Sequence, residues 1–443
     1  MLHFGTDGVR GIALEELTVE LVRDLARAVA RVLQPTGIVI GRDTRESGLA
    51  FERAIIEGCA SEGVAVHLLG ICPTPTIAFA AERYGWVGIA ITASHNPWSD
   101  NGIKVFASGG HKLDDAEQID IEREWHSLIT DAAPTSMGTV HDAVHVIDEY
   151  IAHRTNVVGE SLSGLTVVLD CANGAMSHVA PATFRAALAD VIVMADQPNG
   201  RNINDHCGAT SPQLLAEKVV REGADLGIAF DGDGDRIIAV TATGNIVDGD
   251  FIMAIAARDL AERGLLRNKG VAVTVMTNLG FHRAMQECGI DVIVTPVGDR
   301  SVLAALDEYD LVLGGEQSGH IIHRAHATTG DGVLAGVMLM EFLARTGVSL
   351  DEAASMMQSY PQVLVNVRTS ERVHDPMSAL GDAVESIEKE LGADGRILVR
   401  SSGTEPLVRV MVEASTDAIA QEKAMNLANI LVGAYGGTIE GAH

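Results

Sequence analysis

The sequence predicts three α/β domains of similar design and a smaller C-terminal α+β domain, arranged around a central cleft. A chain of 443 residues is too long for one hydrophobic core, which indicates several domains. Short apolar strands alternate with amphipathic helices in the same order three times before Pro361. Continuous apolar strands of this kind are typical of sheets with both faces covered, so we expect mainly parallel, mixed sheets.

Each of the first three predicted domains contains three strands, and a helix follows the first of them. In the first domain this helix starts from a Ser47 cap and places Phe51, Ile55 and Cys59 on one face. The strands of these domains lie near residues 37–41, 64–69, 87–91, 165–170, 190–195, 226–230, 271–275, 291–295 and 311–313. The last domain contains strands near residues 363–368, 396–400 and 407–413 and a helix near residues 416–431. We therefore expect the domains to span residues 1–150, 151–248, 249–360 and 361–443.

The composition excludes several classes of partner. The formal net charge is −28, from 32 Lys and Arg against 60 Asp and Glu. Nucleic acids and anionic membranes require a surplus of basic side chains, so we expect neither as a partner, whereas a small anionic substrate needs only local positive charge. The N-terminal segment lacks signal-peptide features and no apolar run is long enough to span a bilayer, which predicts a cytoplasmic protein. The five scattered cysteines indicate reduced thiols. The sequence does not decide between a monomer and a homodimer.

The most informative segment is the aspartate loop, residues 231–236, which follows an apolar run. Asp231, Asp233 and Asp235 occupy alternate positions, so in an extended segment their side chains point the same way and converge on one point. Like charges at roughly 4 Å repel by about 1 kcal/mol in water and by more when partly desolvated, so the cluster needs a counter-charge. All-oxygen ligands select hard cations such as Mg²⁺ or Ca²⁺. The loop therefore predicts a metal site at the end of a strand.

Two alternatives to this metal site carry less weight. An EF-hand requires Gly and Glu at the sixth and twelfth positions of its loop, where this chain has Arg236 and Ala242. A solvated acidic turn seldom follows a buried strand or alternates Asp with Gly so strictly. Arg236, directly after the third aspartate, indicates an anionic ligand that is shared with the metal.

The serine loop, residues 92–97, lies at the end of the third strand of the first domain and closes with a proline. Two interpretations of Ser94 stay open. It caps a helix or turn, or it is a nucleophile that carries a phosphoryl group near the metal, flanked by His95 and Lys104. The chain lacks His and Asp partners around a Gly-x-Ser-x-Gly motif, which disfavours an acyl-transfer triad.

The glutamate loop, residues 314–320, ends the third strand of the third domain. Glu316 offers an anionic acceptor and Ser318 a hydroxyl group, which suit the hydroxyls or the amine of a sugar, with an ordinary glycine-rich turn as the alternative. His320 is a candidate proton-transfer group, with a packed or solvent-bridging side chain as the alternative. Ligands of open α/β sheets bind beyond the carboxyl ends of strands, so we expect the three loops to face one cleft.

The last domain contains the parts of a phosphate clamp. Its candidate ligands are two guanidinium groups, two hydroxyl groups and a glycine that lets backbone N–H groups approach an anion: Arg400, Arg409, Ser402, Thr404 and Gly403. This would be a second phosphate site, distinct from the aspartate loop. Near the N-terminus, a glycine-rich turn supplies a further arginine, Arg10.

In their order along the chain, these motifs resemble the α-D-phosphohexomutase superfamily. The resemblance runs essentially end to end and is carried by residues 4–11, 92–97, 101–104, 231–236, 315–320 and 400–406. It implies four domains around a deep cleft, and it makes Ser94 a phosphoserine whose oxygen binds Mg²⁺ together with the three aspartates. It also implies that Glu316 and Ser318 read the sugar and that residues 400–404 hold the phosphate that is not transferred.

The resemblance further implies a phosphoryl transfer in two steps. Phosphoserine 94 phosphorylates O1 of glucosamine 6-phosphate, and the resulting 1,6-bisphosphate turns over in the cleft and returns its 6-phosphoryl group to Ser94. The implied requirements are one Mg²⁺ per subunit and a hexose 1,6-bisphosphate as activator, and the product would feed UDP-N-acetylglucosamine and cell-wall synthesis. The implied sources of positive charge, besides Mg²⁺ and His95, are Arg10, Lys104, Arg236, Arg300, Arg400 and Arg409.

Within the superfamily, Gln317 and the opening residues 4–7 favour glucosamine phosphate as the substrate. Mannose or glucose phosphate is the alternative, since Met is common at this position in the enzymes for those sugars. A sugar-phosphate-binding protein without catalysis and a phosphatase are more distant alternatives. Trp98 stands where Phe or Tyr is more usual, and we expect it to alter packing beside Ser94 without changing the chemistry.

Overall fold

The computed structural model describes residue 4 and residues 8–128, 138–402 and 405–442. Gly403 and Thr404 of the predicted phosphate clamp lie outside the described residues, as do residues 5–7 of the N-terminal motif. The chain forms two compact units, Met1–Met276 with Gly289–Met356 and Thr277–Cys288 with Met357–His443. Three α/β sheets belong to the first unit and one antiparallel sheet to the second.

The first sheet combines parallel and antiparallel strands. Its strands are β1 Val9–Ile12, β2 Ile38–Arg42, β3 Val66–Ile71, β4 Val87–Ile91, β5 Asp100–Phe106 and β6 Val140–Asp142. Its helices are α1 Val19–Leu33, α2 Gly48–Ser61, α3 Thr74–Tyr84, α4 Asp115–Leu128 and α5 His145–Asn156. The strand order is β1-β5-β4-β2-β3-β6, with β3 and β4 parallel to β2 and β5 antiparallel to β4. Thr18 caps α1 by accepting the N–H of Leu21, and Gln34 ends this helix in the left-handed conformation.

The second sheet repeats this arrangement around β7. Its strands are β7 Thr166–Asp170, β8 Asp190–Met194, β9 Leu226–Phe230, β10 Ile237–Thr241 and β11 Ile246–Val247, and its helices are α6 Met176–Ala186 and α7 Gln213–Glu222. The strand order is β11-β10-β9-β7-β8. Strands β8 and β9 are parallel to β7, whereas β10 is antiparallel to β9. Strands β9 and β10 are buried along their whole length, so both faces of the sheet are covered there.

The third sheet has the same core of strands around β12. This part of the chain contains the strands β12 Gly270–Thr274, β13 Asp291–Thr295, β14 Leu313–Gly315 and β15 Ile321–His323. Its helices are α8 Gly249–Glu262, α9 Leu279–Glu287, α10 Asp299–Glu308, α11 Gly332–Thr346 and α12 Leu350–Ala354, of which α9 belongs to the second unit. The strand order is β13-β12-β14-β15, and only β15 is antiparallel.

The sheet of the second unit is fully antiparallel. Its strands are β16 Gln362–Arg368, β17 Arg396–Ser401, β18 Leu407–Glu413 and β19 Thr438–Ala442, in the order β17-β18-β16-β19, and its helices are α13 Met377–Leu391 and α14 Asp417–Tyr435. Buried valines alternate along β16 and pack against buried residues of α13 and α14, as expected for a sheet with one covered face. No helix in the described part of the chain combines the length and apolar character that crossing a bilayer requires.

The three α/β sheets share one plan, which confirms the predicted mixed sheets. In each sheet one central strand (β2, β7 or β12) is flanked by two parallel strands, and the last of these three strands along the chain (β4, β9 or β14) turns back through a hairpin into an antiparallel fourth strand (β5, β10 or β15). The serine, aspartate and glutamate loops are these three hairpin turns, which join β4 to β5, β9 to β10 and β14 to β15. The fourth strands were not predicted from the sequence.

Two local predictions differ from the structure. Strand β14 is Leu313–Gly315 instead of a strand near residues 311–313, because its two glycines pair with β12 on one side and β15 on the other. Ser47 stands at the N-terminus of α2, but its hydroxyl accepts a hydrogen bond from Asn101 at 2.8 Å and makes no cap with the helix. This serine therefore joins α2 to β5.

His323 on β15 is a buried histidine that the fold keeps neutral. Its side chain is 3% exposed and lines a small cavity together with apolar residues of α8 and α11 and with Asp259, Arg263 and Glu341. Burial, followed by the nearby His326, lowers the pKa of His323 from 6.5 to about 3. Above pH 6.5 both the folded and the unfolded chain carry the neutral ring. As the pH falls toward 3 only the unfolded chain takes up the proton, so acid favours unfolding.

We predict that His323→Phe makes the protein less sensitive to mild acid. In the wild type, His323 alone should lower the free energy of unfolding by about 1.4 kcal/mol for each pH unit below the ordinary histidine pKa. The variant lacks this contribution. Urea unfolding of both proteins at neutral and mildly acidic pH measures the difference. Parallel losses of stability in the two proteins would contradict the neutral buried ring.

Candidate active site

The serine and aspartate loops bring Ser94 and Asp231 into contact. The Oγ atom of Ser94 donates a hydrogen bond to Oδ2 of Asp231 at 2.6 Å, although the residues lie 137 positions apart. Both side chains are buried. Ser94 has a φ of 53°, a left-handed conformation that residues other than glycine seldom adopt. Its surroundings must therefore hold the serine loop in place.

The aspartate loop concentrates three buried carboxylates. One oxygen from each of Asp231, Asp233 and Asp235 lies within 4.8 Å of the others. Among the described residues, the Oδ1 atoms of Asp233 and Asp235 have no hydrogen-bond partner. Burial and then the two neighbouring carboxylates raise the pKa of Asp231 well above its ordinary value. A hard divalent cation satisfies such oxygens, so this donor set fits the predicted metal.

Lys104 supplies positive charge to the aspartate loop from β5. Its Nζ atom lies 2.8 Å from Oδ2 of Asp233 and 3.1 Å from Oδ2 of Asp235. Thr74 donates a further hydrogen bond to Oδ2 of Asp233 at 2.7 Å. Burial and Asp235 act to raise the pKa of Asp233, but Lys104 and Thr74 outweigh them and lower it. Burial also acts to raise the pKa of Asp235, but Lys104 and then His320 outweigh it and lower the pKa. Both carboxylates thus remain ionised, and their Oδ1 atoms accept no hydrogen bond from the described residues.

Three further predicted residues surround Ser94. Arg10 donates to the backbone carbonyl of Ala93 at 3.3 Å, and the backbone N–H of Arg236 donates to Oδ1 of Asp231 at 3.2 Å. Nδ1 of His95 lies 3.3 Å from Oγ of Ser94. Burial, together with the two arginines, lowers the pKa of His95 to about 4. His95 is therefore a neutral hydrogen-bonding group near neutral pH.

A cavity of about 210 Å³ opens beside Ser94. Residues from all three hairpin turns line it, together with an arginine from the first strand. The predicted site residues among them are Arg10, Ser94, Lys104, Asp235, Arg236, Glu316 and His320. The cavity combines basic groups with carboxylates, which suits a ligand that carries both phosphate and hydrogen-bonding groups.

The remaining residues predicted in the first unit lie in different surroundings. Oε1 of Glu316 accepts a hydrogen bond from the backbone of Gly298 at 3.1 Å, and Glu316 lines the cavity. Ser318 is exposed and does not line the cavity. Arg300 lies 2.7 Å from Asp115 of α4 and does not line the cavity either.

His320 is enclosed by protein groups. Its Nδ1 atom lies 3.6 Å from Oδ1 of Asp235, and its Nε2 atom accepts a hydrogen bond from the backbone N–H of Gly330 at 3.1 Å. Nε2 also lies 3.5 Å from Oδ2 of Asp299, so a carboxylate faces each ring nitrogen. Burial acts to lower the pKa of His320, but Asp235 and then Asp299 outweigh it and raise the pKa. This geometry makes His320 a neighbour that orients Asp235.

Two residues that the sequence did not single out hold the serine loop. Nη2 of Arg45 donates to the carbonyl of Ser94 at 3.0 Å and to that of Asn96 at 2.9 Å. Nδ2 of Asn204 donates to the same carbonyls at 2.9 and 3.1 Å. Arg45 is itself fixed by Asp43, which also accepts a hydrogen bond from Thr92. The only sequence signal for this arrangement is the run of charged residues directly after β2. It does not show which groups those residues bind.

Trp98 directly follows the serine loop and contacts Arg201, whereas its expected effect on packing beside Ser94 stays a prediction. The guanidinium carbon of Arg201 lies 4.9 Å from the centre of its ring, which is a cation–π contact. Arg201 also forms an ion pair with Glu46. The tryptophan thereby connects the serine loop to a loop of the second sheet.

In the second unit, Arg400 and Arg409 lie directly opposite each other on β17 and β18. Burial and then Arg409 lower the pKa of Arg400. Like charges in such a cross-strand pair repel, so the pair favours a bound anion. The hydroxyl of Ser402 accepts a hydrogen bond from the backbone of Glu405 at 3.3 Å.

All four domain models of the phosphoglucomutase/phosphomannomutase family match this chain. The alpha/beta/alpha domains I, II and III match residues 1–130, 148–244 and 248–360, and the C-terminal domain matches residues 364–430. The four matches follow one another along the chain. Together they cover most of its length.

Similarity to curated relatives identifies a more specific family than the domain models do. The phosphoglucosamine mutase of Rhodococcus opacus (strain B4) is 49% identical over 435 residues, which are 96% of this chain and 98% of the relative. The phosphoglucosamine mutase of Thermobifida fusca (strain YX) is 48% identical over 437 residues, 97% of each chain. This chain belongs to the phosphoglucosamine mutase family. It is therefore an isomerase of the phosphohexomutase type.

Solved structures share the fold of this family member. A phosphoglucomutase/phosphomannomutase family protein from Burkholderia thailandensis has a TM-score of 0.81 at 23% identity and covers 97% of both chains. The N-acetylphosphoglucosamine mutase of Aspergillus fumigatus, solved with GlcNAc-6P and magnesium, has a TM-score of 0.70 at 18% identity and covers 98% of this chain and 96% of its own. The four-domain architecture is thus common to distant phosphohexomutases.

We predict that Asn204→Ala lowers mutase turnover roughly tenfold, because a small displacement of a reacting group is enough to slow a reaction by this much. The variant removes both hydrogen bonds from Asn204 that hold the strained serine loop. Steady-state kinetics should show the loss in kcat, with a smaller change in KM.

Asn268 provides a matched control for Asn204→Ala. It also has a left-handed backbone and donates its side-chain amide to two carbonyls, those of Tyr309 and Asp310. Asn268→Ala should leave kcat unchanged. Equal losses in both variants would mean that Asn204 acts only on general stability.

Proposed function

We propose that this protein interconverts glucosamine 6-phosphate and glucosamine 1-phosphate through a phosphoserine at Ser94. The observation that carries the proposal is the contact between the Oγ atom of Ser94 and a cluster of three buried carboxylates. A hydroxyl beside a site fitted for a hard cation has the surroundings needed to carry and release a phosphoryl group. The relatives at 48–49% identity are phosphoglucosamine mutases, which supports the amino sugar as the substrate.

In the proposed forward reaction, the O1 hydroxyl of glucosamine 6-phosphate attacks the phosphorus of phosphoserine 94. The bond between phosphorus and Oγ breaks, the O1–phosphorus bond forms, and the proton of the O1 hydroxyl is passed on to the released Oγ of Ser94, from which it goes to O6 in the second transfer. The 1,6-bisphosphate then reverses its orientation, and Oγ of Ser94 takes the phosphoryl group from O6. A hexose 1,6-bisphosphate would start the cycle by phosphorylating a serine that is not yet modified.

We propose Mg²⁺ as the cation, one per subunit, held by Asp231, Asp233, Asp235 and a phosphoserine oxygen. When bound, it supplies charge stabilisation to the phosphoryl group in transit. The magnesium in the solved Aspergillus fumigatus relative supports this choice. Lys104 and Arg236 would neutralise the transferring oxygens, and His95 would hold Oγ of Ser94 by a neutral hydrogen bond.

We assign the remaining predicted residues to substrate binding. Glu316 would accept from the sugar hydroxyls or amine. Ser318 would reach the substrate only after a rearrangement of the glutamate loop, and Arg300 only after a movement of the first turn of α10. Arg10 would contribute positive potential in the cavity, and His320 would act through Asp235. The proposed clamp for the other phosphate consists of Arg400, Ser402, Gly403, Thr404 and Arg409.

We further propose a cytoplasmic monomer or homodimer whose partner is the sugar phosphate alone. The net charge of −28 supports the exclusion of nucleic acid. Mannose or glucose phosphate is the alternative substrate, because the matching domain models cover phosphoglucomutases and phosphomannomutases as well.

We predict that Ser94→Ala abolishes mutase activity and removes a phosphate from the protein, because the variant loses the hydroxyl that contacts Asp231. Intact-mass spectrometry before and after incubation with a hexose 1,6-bisphosphate measures the phosphate. Ser99→Ala, which changes a serine just beyond the loop, is the control and should keep both phosphate and activity. Full activity in Ser94→Ala would exclude the phosphoserine mechanism.

We also predict a clear preference for glucosamine 6-phosphate over glucose and mannose 6-phosphates. The measurement compares turnover of the three substrates at equal concentrations, with Mg²⁺ and a trace of hexose 1,6-bisphosphate. A preference for glucose or mannose phosphate would replace the proposed substrate. Release of free phosphate in place of a sugar 1-phosphate would identify a phosphatase.

A further inference from the structure

We propose that Tyr150 and Arg154, both on α5, are positioning residues for the aspartate loop and through it for the bound cation. Neither residue lines the cavity beside Ser94. They act through Asp331, the residue that caps α11. The inference rests on the cation site proposed above and adds the residues that keep its ligands in place.

Asp331 is a buried carboxylate held by both residues. The hydroxyl of Tyr150 donates to its two oxygens at 2.8 and 2.9 Å, and Nε of Arg154 donates to Oδ2 at 2.7 Å. All three side chains are at most 2% exposed. Oδ1 of Asp331 also accepts the N–H of Leu334 at 2.9 Å, which fixes the first turn of α11. Helix α5 therefore determines where α11 begins.

The backbone at this helix start is bonded to the active site by three successive N–H groups. Gly330 donates to Nε2 of His320 at 3.1 Å, Asp331 donates to the carbonyl of Ile321 at 3.2 Å, and Gly332 donates to the carbonyl of Gly234 at 3.1 Å. The first bond orients the imidazole that faces Asp235. The third bond holds the aspartate loop at Gly234, which lies between Asp233 and Asp235.

The close approach of these backbones transmits any displacement. A Cβ atom on Gly332 would lie 2.6 Å from the carbonyl oxygen of Arg236, and one on Gly330 would lie 2.5 Å from the ring of His320. Both distances are far below a normal contact, so the glycines already pack against the loop and the ring. A shift of Asp331 must then move the aspartate loop or break one of its bonds.

A different role for the same contacts is a buried ion pair that only stabilises the fold. Such a pair would leave cation binding unchanged when it is weakened. A positioning role predicts weaker cation binding, because groups that orient metal ligands set the affinity of the site. The two roles therefore predict different affinities for the cation, and this affinity can be measured without turnover.

The test uses Tyr150→Phe in the full-length protein with Mg²⁺ as the probe. The Mg²⁺ concentration that gives half of the maximal rise in Tm, in the absence of sugar phosphate, should increase roughly tenfold. The Mg²⁺ concentration for half-maximal turnover should increase by a similar factor, while KM for the sugar phosphate stays the same. If Tyr150→Phe does not fold, Arg154→Lys, which keeps the charge and changes the donor geometry, decides the question by the same measurement.

Tyr84→Phe is a matched control, because Tyr84, the last residue of α3, also has a hydroxyl bonded to a carboxylate and contacts α5. The hydroxyl of Tyr84 donates to both oxygens of Glu149 on α5, at 2.9 and 3.1 Å. This variant should leave the Mg²⁺ concentration unchanged. A lower Tm for Tyr150→Phe with an unchanged Mg²⁺ concentration would overturn the positioning role, whereas a wild-type protein whose Tm does not respond to Mg²⁺ would overturn the cation site itself.

Discussion

The active site depends on the repulsion among three buried carboxylates. Removal from water strengthens this repulsion, so the aspartate loop depends on hydrogen-bond donors and positive groups that offset it. Lys104 pairs with two of the carboxylates, and Ser94 donates its hydroxyl proton to the third. The oxygens that remain without protein donors then set the place of a cation. Because Ser94 is part of the same arrangement, the contact that relieves the repulsion also brings the nucleophile to the metal site.

The repeated sheet plan explains how distant segments reach this point. In each α/β sheet the third parallel strand ends in a hairpin, and the returning antiparallel strand gives that turn a rigid frame on both sides. A turn held in this way can support an unfavourable backbone such as that of Ser94. The same frame lets β5 deliver Lys104 to the aspartate loop, so the hairpin supplies both the nucleophile and a counter-charge.

The sequence predicted the parallel part of the fold and the chemical groups of the site, and it missed the elements that fix their geometry. Apolar runs identify buried strands, but β5 contains polar residues, among them Asn101 and Lys104, that resemble a loop. Its polar side chains are buried because they bind α2 and the aspartate loop, which no local pattern shows. Arg45 and Asn204 escaped notice for the same reason, since their partners lie 49 and 110 positions away.

The balance of charge in the cavity favours an amino sugar. The net charge of −28 matters little there, because exposed charges are screened beyond about 8 Å at physiological ionic strength. Around Ser94 the three aspartates are balanced by Arg10, Lys104 and Arg236, and a divalent cation would then balance a phosphoryl group of roughly two negative charges. Two further carboxylates line the same cavity, of which Asp299 is paired with Lys112, so Glu316 is the one outside this balance. Its carboxylate is best offset by a positive group on the substrate, which an ammonium at C2 of glucosamine provides and the hydroxyl of glucose or mannose does not.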